Sequence, residues 1–180
     1  MTRATDARVI GAQLWLLPVK TRVPLKFGTE TLTDVTCARV ALTVRGRHGQ
    51  VATGWGETPL SVQWVWPGEL SYATRHTALV ALCRRLVTSW ASFDDWGHAL
   101  ELGSRFQQRE LSLAVAAEER VQGVAIPWLA ALVCCSPFDL ALHDAYARLV
   151  ERPVYATYGP DLLNDDLATY LEPAEGADVS

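Results

Sequence analysis

The sequence predicts an α+β domain in which a three-stranded antiparallel sheet is followed by a bundle of helices. Two observations carry this prediction. Between residues 8 and 57, apolar and polar residues alternate in segments separated by breaks, which is the period of a strand. After Ser71, apolar residues recur every three or four positions, which is the period of a helix. The 180 residues are 49% apolar and 20% charged, so the chain can bury a core.

Each strand follows from its own pattern. The first strand is predicted over Arg8–Lys20, which is rich in apolar and β-branched residues. The second strand covers Asp34–Arg45, and Gly46–Gly49 forms a four-residue turn after it. Gln50–Glu57 returns as the third strand. One face of the second strand carries four apolar residues, Ala38, Val40, Leu42 and Val44.

Two irregular segments flank these strands, Thr21–Glu30 and Thr58–Gly68. A proline and a glycine break the period of the first, and the second contains Trp64 and Trp66. Loops this apolar are unusual on a surface. Each therefore either packs on the domain's own core or forms a wall of a binding pocket.

Helix signals begin at Ser71. The first helix is predicted over residues 71–90, with Arg75 and two later arginines facing solvent. The segment Ser92–Asp95 has the pattern of a capping box, so a second helix is predicted to start there and to end at Gly103.

Three further elements complete the prediction. A third helix covers about residues 105–122 and is closed by Gly123. Pro127 favours the first turn of a short helix over 127–135. Ser136–Asp139 has the residue types of a new helix start, so a separate helix over 137–150 is predicted. Leu167–Leu171 is a last short strand.

Composition excludes several classes of protein. The net charge is −4 and the pI is about 5.5, which argues against a nucleic-acid-binding protein. The longest apolar run, Val124–Cys135, is too short to span a membrane, and the N-terminal residues lack the pattern of a secretory signal. We therefore expect a cytoplasmic protein that binds neither nucleic acid nor membrane.

The chemistry-bearing residues do not form a recognisable active site. Four cysteines lack the spacing of a metal site, and Cys134–Cys135 reads as a pair of small apolar residues on a buried helix. His143 and Asp144 are adjacent on a helix, so their side chains diverge and cannot form a dyad. The acidic pairs Asp94–Asp95 and Glu118–Glu119 read as charges at a helix end and on a solvent-facing surface. The residues alone thus indicate a domain without a self-contained active site.

Three short motifs, in their order, carry a resemblance to a known family. They are Gly54–Glu57 with the sequence Gly-Trp-Gly-Glu, Ala141–Ala147 with the sequence Ala-Leu-His-Asp-Ala-Tyr-Ala, and Arg152–Tyr155, which Gly159 follows. This order resembles the N-terminal capping domain of the enolase superfamily, in the branch of mandelate racemase and muconate lactonizing enzyme. The resemblance covers about residues 8–160.

The resemblance implies a division of the chain. Residues 1–160 are the enolase-like N-terminal capping domain, and residues 161–180 are a linker and the first strand, Leu167–Leu171, of an otherwise absent TIM barrel. Such a barrel needs about 250 residues. We expect residues after about Asp161 to be extended or mobile.

The resemblance also implies a function for the parent enzyme. Members of this family are Mg²⁺-dependent isomerases or lyases that abstract the proton α to a carboxylate. Their Mg²⁺ ligands and acid–base groups lie on the barrel, so no catalytic or metal-binding residue maps onto this chain. The implied partners are the protein's own C-terminal barrel, a small carboxylate substrate and further copies in a homo-oligomer. The 180-residue chain alone is expected to be inactive.

What carries over is a capping and substrate-specificity role. In the family, two loops close over the barrel mouth, and they correspond here to Val23–Thr29 and Thr58–Trp66. The substrate-binding residues implied are Lys26, Phe27, Gly28, Glu57, Leu60 and Trp64. Lys26 either meets a substrate carboxylate or is a solvated lysine, and Glu57 either holds the loop backbone or touches substrate. Asp144 is expected to fix its helix against the sheet or against the barrel. The alternative function is a free-standing interaction or small-ligand-binding module.

Overall fold

The computed structural model describes residues 3–27, 30–171 and 175. It confirms the α+β class. Strands β1 (Ala7–Phe27), β2 (Glu30–Gly46) and β3 (Val51–Pro59) form one antiparallel sheet in the order β1-β2-β3. The helices that follow are α1 (Val62–Val65), α2 (Tyr72–Ser92), α3 (Ala99–Phe106), α4 (Ser112–Gln122) and α5 (Trp128–Leu149). A π turn at Gln107–Leu111 joins α3 to α4, and 3₁₀ turns cover Val154–Thr157 and Leu167–Thr169.

The inner face of the sheet packs on α5. The four apolar residues predicted to share a face of β2 are buried, as expected. On β3, Gly54 and Gly56 let α5 approach the strand closely. A Cβ added at Gly54 would lie 2.7 Å from Ala145 Cα, and one at Gly56 would lie 2.7 Å from Ala141 N. The two glycines are therefore required by helix-on-strand contact.

The first strand is longer than predicted. The segment Thr21–Glu30 was expected to be a loop, yet β1 continues to Phe27 and pairs with β2 from Glu30 onward. The pairing shifts register between Lys20 and Leu25, and Pro24 falls inside that shift. A proline has no N–H to donate to a ladder, and at an irregularity it interrupts no pair.

The helix boundaries around residues 92–103 also differ from the prediction. Ser92 is the last residue of α2, and the next helix starts at Ala99. His98 is its N-cap: its Nδ1 accepts from Leu100 N at 3.1 Å, while Glu101 Oε2 accepts from His98 N at 3.0 Å. Histidine is an uncommon N-cap residue, whereas serine is a common one, so the sequence favoured a helix start at Ser92.

Gly103 was predicted to end a helix, and it lies inside α3 instead. A Cβ at Gly103 would lie 2.5 Å from Asp139 Oδ1, so this glycine makes room for a neighbouring helix. Gly123 does end α4, in the left-handed conformation with φ of 69°.

The predicted break in the last helix is absent. α5 runs through Pro137 as one helix, and Pro137 is buried within it. Pro137 leaves one helical hydrogen bond unmade. The packing of both halves of α5 on the sheet and on neighbouring helices outweighs this local signal. Cys134 and Cys135 are buried on α5, as predicted.

Two charged residues lie deeper than predicted. Arg75 was expected to face solvent, but it is 3% exposed and its guanidinium donates to the Trp66 carbonyl. Glu118, expected on a solvent-facing surface, is buried and accepts from Arg85 Nε at 2.6 Å. Both tie one element to another, which periodicity along a single helix cannot reveal.

The segment after residue 160 folds back on the domain. The strand predicted at Leu167–Leu171 is wrong: Leu167–Thr169 is a 3₁₀ turn. The expected extended tail is also wrong where the chain is described, because Leu162 and Leu163 are buried. Asn164 Nδ2 donates to Asp6 Oδ1 at 2.8 Å and to Glu101 Oε2 at 2.9 Å. Across the described part of the chain, every helix is too short or too polar to cross a membrane.

Candidate functional site

The two segments predicted to act as loops leave the sheet at the same end. β3 pairs with β2 only along Cys37–Arg45. The part of β2 that precedes Cys37 therefore pairs with β1 alone. We call this two-stranded extension, residues 18–27 and 30–36, the hairpin arm. The chain leaving β3 is tied to the base of the arm, because Leu60 N donates to Thr36 O at 2.8 Å.

A cleft of about 520 Å³ lies between the base of the hairpin arm and the first turn of α2. The arm contributes its side chains from both strands, and α2 contributes Tyr72 and His76. The residues of the arm that line it are Pro18, Val19, Lys20, Asp34, Val35 and Thr36. The cleft thus combines apolar walls with one cationic and one anionic side chain.

The α2 side of the cleft is organised by a hydrogen bond and a ring stack. His76 Nε2 lies 2.9 Å from Thr36 Oγ1, and the rings of Tyr72 and His76 stack at 5.7 Å with planes 11° apart. Burial lowers the pKa of His76, which favours its neutral form at neutral pH. Burial, and then the nearby Asp34 carboxylate, raise the pKa of Tyr72. Both side chains are therefore uncharged at neutral pH, and each offers a ligand an aromatic face and a polar group.

The structure places the predicted residues of the hairpin arm near its tip. Lys26 is exposed and pairs with Thr31 across the hairpin. Phe27 ends β1, and its backbone pairs with Glu30. Gly28 lies outside the described residues. Lys26 is thus available to a ligand, and its role stays a prediction.

Trp64 and Leu60 have opposite surroundings. Trp64 is 55% exposed on α1, whereas Leu60 is fully buried in the core. Val62 and Trp66, on the same segment, are also buried. The segment therefore packs partly on its own core, and the expectation that Leu60 is presented at the surface is wrong. Arg75 anchors the end of this segment through the Trp66 carbonyl.

Among the described residues, Glu57 bonds to a side chain of the sheet and not to the loop backbone, unlike the first of the two roles considered for it. Its Oε2 accepts from Arg39 Nε at 2.6 Å, across the strand pair β2–β3. The pair is partly exposed, and such pairs contribute at most about 1 kcal/mol to stability. Whether Glu57 touches a ligand stays a prediction.

Asp144 fixes its helix against the sheet, which is one of the two attachments expected for it. Asp144 Oδ2 accepts from Trp55 N at 2.9 Å and from Arg148 Nε at 3.0 Å. The carboxylate therefore joins α5 to β3, next to the two glycines that allow their close contact.

Sequence reasoning missed Tyr72, His76 and Thr36 as parts of the site. Tyr72 and His76 follow the three-to-four-residue spacing that predicts the buried stripe of the first helix, yet Tyr72 is 39% exposed. One signal was available: both lie within five residues of the N-cap Ser71, where a helix end meets a neighbouring element. Within residues 3–27, 30–171 and 175, no group of three or more His, Cys, Asp or Glu side chains is arranged to hold a metal ion.

No protein-family model and no curated protein sequence matches the chain. Six chains among solved structures match it. One is a dipeptide epimerase from Cytophaga hutchinsonii complexed with Mg and the dipeptide D-Ala-L-Val, with 17% identity and a TM-score of 0.45. The match covers 83% of this chain and 32% of that one.

Another is a mandelate racemase/muconate lactonizing protein from Herpetosiphon aurantiacus, with 14% identity and a TM-score of 0.37. The match covers 88% of this chain and 36% of that one. The chain therefore spans about a third of the length of these two structures.

Proposed function

We propose that this chain is the N-terminal capping and substrate-specificity domain of a Mg²⁺-dependent enolase-superfamily isomerase or lyase. One observation carries the proposal: the hairpin arm and the segment after β3 leave the sheet at the same end and are joined there by the Leu60–Thr36 hydrogen bond. The sequence motifs of the family support it. Their glycines and Asp144 hold α5 against β3, which fixes the sheet from which both segments extend.

In this proposal the domain contributes shape selection and exclusion of water, and the chemistry belongs to a C-terminal barrel. Rigid secondary structure presents binding side chains more precisely than a free loop does, and the hairpin arm is paired nearly to its tip. Lys26 and Trp64 are the exposed side chains that would face a small carboxylate substrate. The described residues do not fit a Mg²⁺ site, so no catalytic step is assigned to them.

The first test is to read the coding sequence downstream of Ser180. We expect it to continue in frame into a barrel that carries Lys-x-Lys and spaced Asp, Glu and Glu residues. The 180-residue chain should show neither turnover nor stoichiometric Mg²⁺ binding by calorimetry. Turnover by this chain alone would refute the assignment of catalysis to a C-terminal barrel.

The second test uses variants of the continued protein. Lys26→Ala should raise KM for a carboxylate substrate about tenfold, the scale of one hydrogen bond to a charged group, with a smaller change in kcat. Arg120→Ala is the matched control, because Arg120 is an exposed cation on α4 whose Nε donates to the Ala116 carbonyl of the same helix. Equal effects of the two variants would contradict the proposed capping role.

A second candidate function is a free-standing ligand-binding module. The cleft of about 520 Å³ favours it, because that cleft is built from this chain alone. A stop codon directly after Ser180, together with saturable ligand binding that Tyr72→Ala abolishes, would support this function over the first.

A further inference from the structure

A second cleft, of about 280 Å³, lies away from the hairpin arm, between α3, the π turn, α5 and the end of the described chain. We call it the α3–α5 cleft. Its polar lining residues are Ser104, Gln107, Gln108, Asp139, His143, Thr169 and Tyr170. None of them takes part in the proposed capping function, so the inference below does not rest on it.

Among the described residues that line this cleft, Asp139 is the only acidic one, and none of them donates a hydrogen bond to its carboxylate. The nearest basic atom, His143 Nε2, is 3.9 Å away, which is too long for a hydrogen bond. The other ring nitrogen of His143 lies 2.9 Å from the Tyr158 hydroxyl. Burial lowers the pKa of His143, which favours the neutral imidazole at neutral pH, and burial also raises the pKa of Asp139, as expected for a carboxyl group short of partners. Among the described residues, Asp139 thus has neither a hydrogen-bond donor nor a permanent cation beside it.

The π turn adds further acceptors to the cleft. Gln107 and Gln108 begin this turn, a rare helix variant that recurs at functional sites. Gln108 Nε2 donates to Ser104 Oγ at 3.2 Å, which orients its amide and leaves the amide oxygen free to accept. The cleft therefore presents a carboxylate and an amide oxygen.

Tyr170 supplies an aromatic wall. Its hydroxyl donates to Asp165 Oδ2 at 3.2 Å, which positions the ring at the cleft. Burial, and then the nearby Asp165 and Glu101 carboxylates, raise the pKa of Tyr170, so this side of the cleft is acidic. Arg105 is the basic group near Tyr170, and it already donates to the Glu101 and Trp96 carbonyls. Such surroundings repel anions and attract cations.

We propose that the α3–α5 cleft binds a small primary ammonium ion. The ammonium N–H groups donate to the Asp139 carboxylate and the Gln108 amide oxygen, and its charge lies against the Tyr170 ring. A volume of about 280 Å³ admits a ligand of a few heavy atoms. The ligand class is therefore a short alkylamine or the amino end of a small metabolite.

The test is a titration of the ¹⁵N-labelled 180-residue chain with ethylammonium chloride at pH 8, followed by NMR. We expect saturable shifts at the lining residues, including Gln107, Gln108 and Tyr170. Tetramethylammonium carries the same charge without N–H donors and should bind at least about tenfold more weakly. Acetate should not bind. Equal binding of ethylammonium and tetramethylammonium, or binding of acetate, would overturn the proposal.

Two variants locate the site. Asp139→Asn keeps the shape of the side chain and should weaken ethylammonium binding at least about tenfold. Gln108→Leu alters an exposed position, so it tests the same site even if the Asp139 variant fails to fold. Asp94→Asn is the control, since Asp94 pairs with Arg8 at the surface and should leave binding unchanged. Unchanged affinity in Gln108→Leu and in folded Asp139→Asn would refute the assignment.

Discussion

The close contact between β3 and α5 makes Gly56→Ala a sharp test of the fold. An added Cβ would lie 2.7 Å from Ala141 N and 2.8 Å from Leu140 Cβ, and it would lie closer still to the Pro137 carbonyl. Two of these three atoms are backbone, so no side-chain rotation can relieve the clash. The helix or the strand must move instead.

The expected cost is at the upper end of the range for overpacking, about 3 kcal/mol. For a domain of this size, each kcal/mol lowers Tm by about 2–4 °C, so Tm should fall by about 6–12 °C. The matched control is Gly11→Ala in β1, where the nearest atom to an added Cβ is Thr43 Cβ at 3.9 Å. That contact is ordinary, and the change should cost less than about 1 kcal/mol.

The assay is urea and thermal unfolding of both variants, followed by circular dichroism. The m-value should stay unchanged, because both variants bury the same surface. If Gly56→Ala were as stable as Gly11→Ala, α5 would not lie against β3 as described.

Three further outcomes follow from the structure. Burial lowers the pKa of His98 to about 4, so the unfolded chain binds a proton before the folded chain does as pH falls. The free energy of unfolding should therefore drop by about 3 kcal/mol between pH 6.5 and 4. His98→Asn retains a capping side chain, and urea unfolding of this variant should lack that pH-dependent loss. Asp144→Ala leaves Trp55 N without its acceptor and should lower the free energy of unfolding by about 1–2 kcal/mol. Asp144→Asn keeps an acceptor oxygen, so it should lower the free energy of unfolding by less. The chain is also expected to self-associate through its exposed apolar side chains, and a clean monomer at high concentration in light scattering would contradict this.

Local patterns predicted the parts of the fold that local forces determine. The alternation in β2 identified the buried face, and Gly123 identified the end of α4, because each signal concerns a residue and its immediate neighbours. The break predicted at Pro137 failed because contacts along the whole of α5 outweigh one missing hydrogen bond. The expected strand at Leu167–Leu171 failed because burial of Leu162 and Leu163 and the bonds of Asn164 hold that part of the chain against the helices.

The candidate site was predictable only in part. The apolar content of two segments drew attention to one end of the sheet, and Trp64 is exposed there. Leu60 could not be separated from Trp64 by residue type, since both are apolar and four positions apart. Tyr72 and His76 join the site through the packing of α2 beside the hairpin arm, and no spacing in the sequence encodes that meeting.

The hydrogen bond from Trp55 N to Asp144 has a consequence for how copies of this chain can meet. β3 is the outer strand of the sheet, and this N–H points away from its partner β2. An added strand from a second molecule would need that donor, and the carboxylate already occupies it. Extension of the sheet past β3 would therefore require the hydrogen bond between Trp55 N and Asp144 to break. The Asp144 carboxylate thus covers one backbone donor at the β3 edge of the sheet, and covered edges resist pairing with another chain.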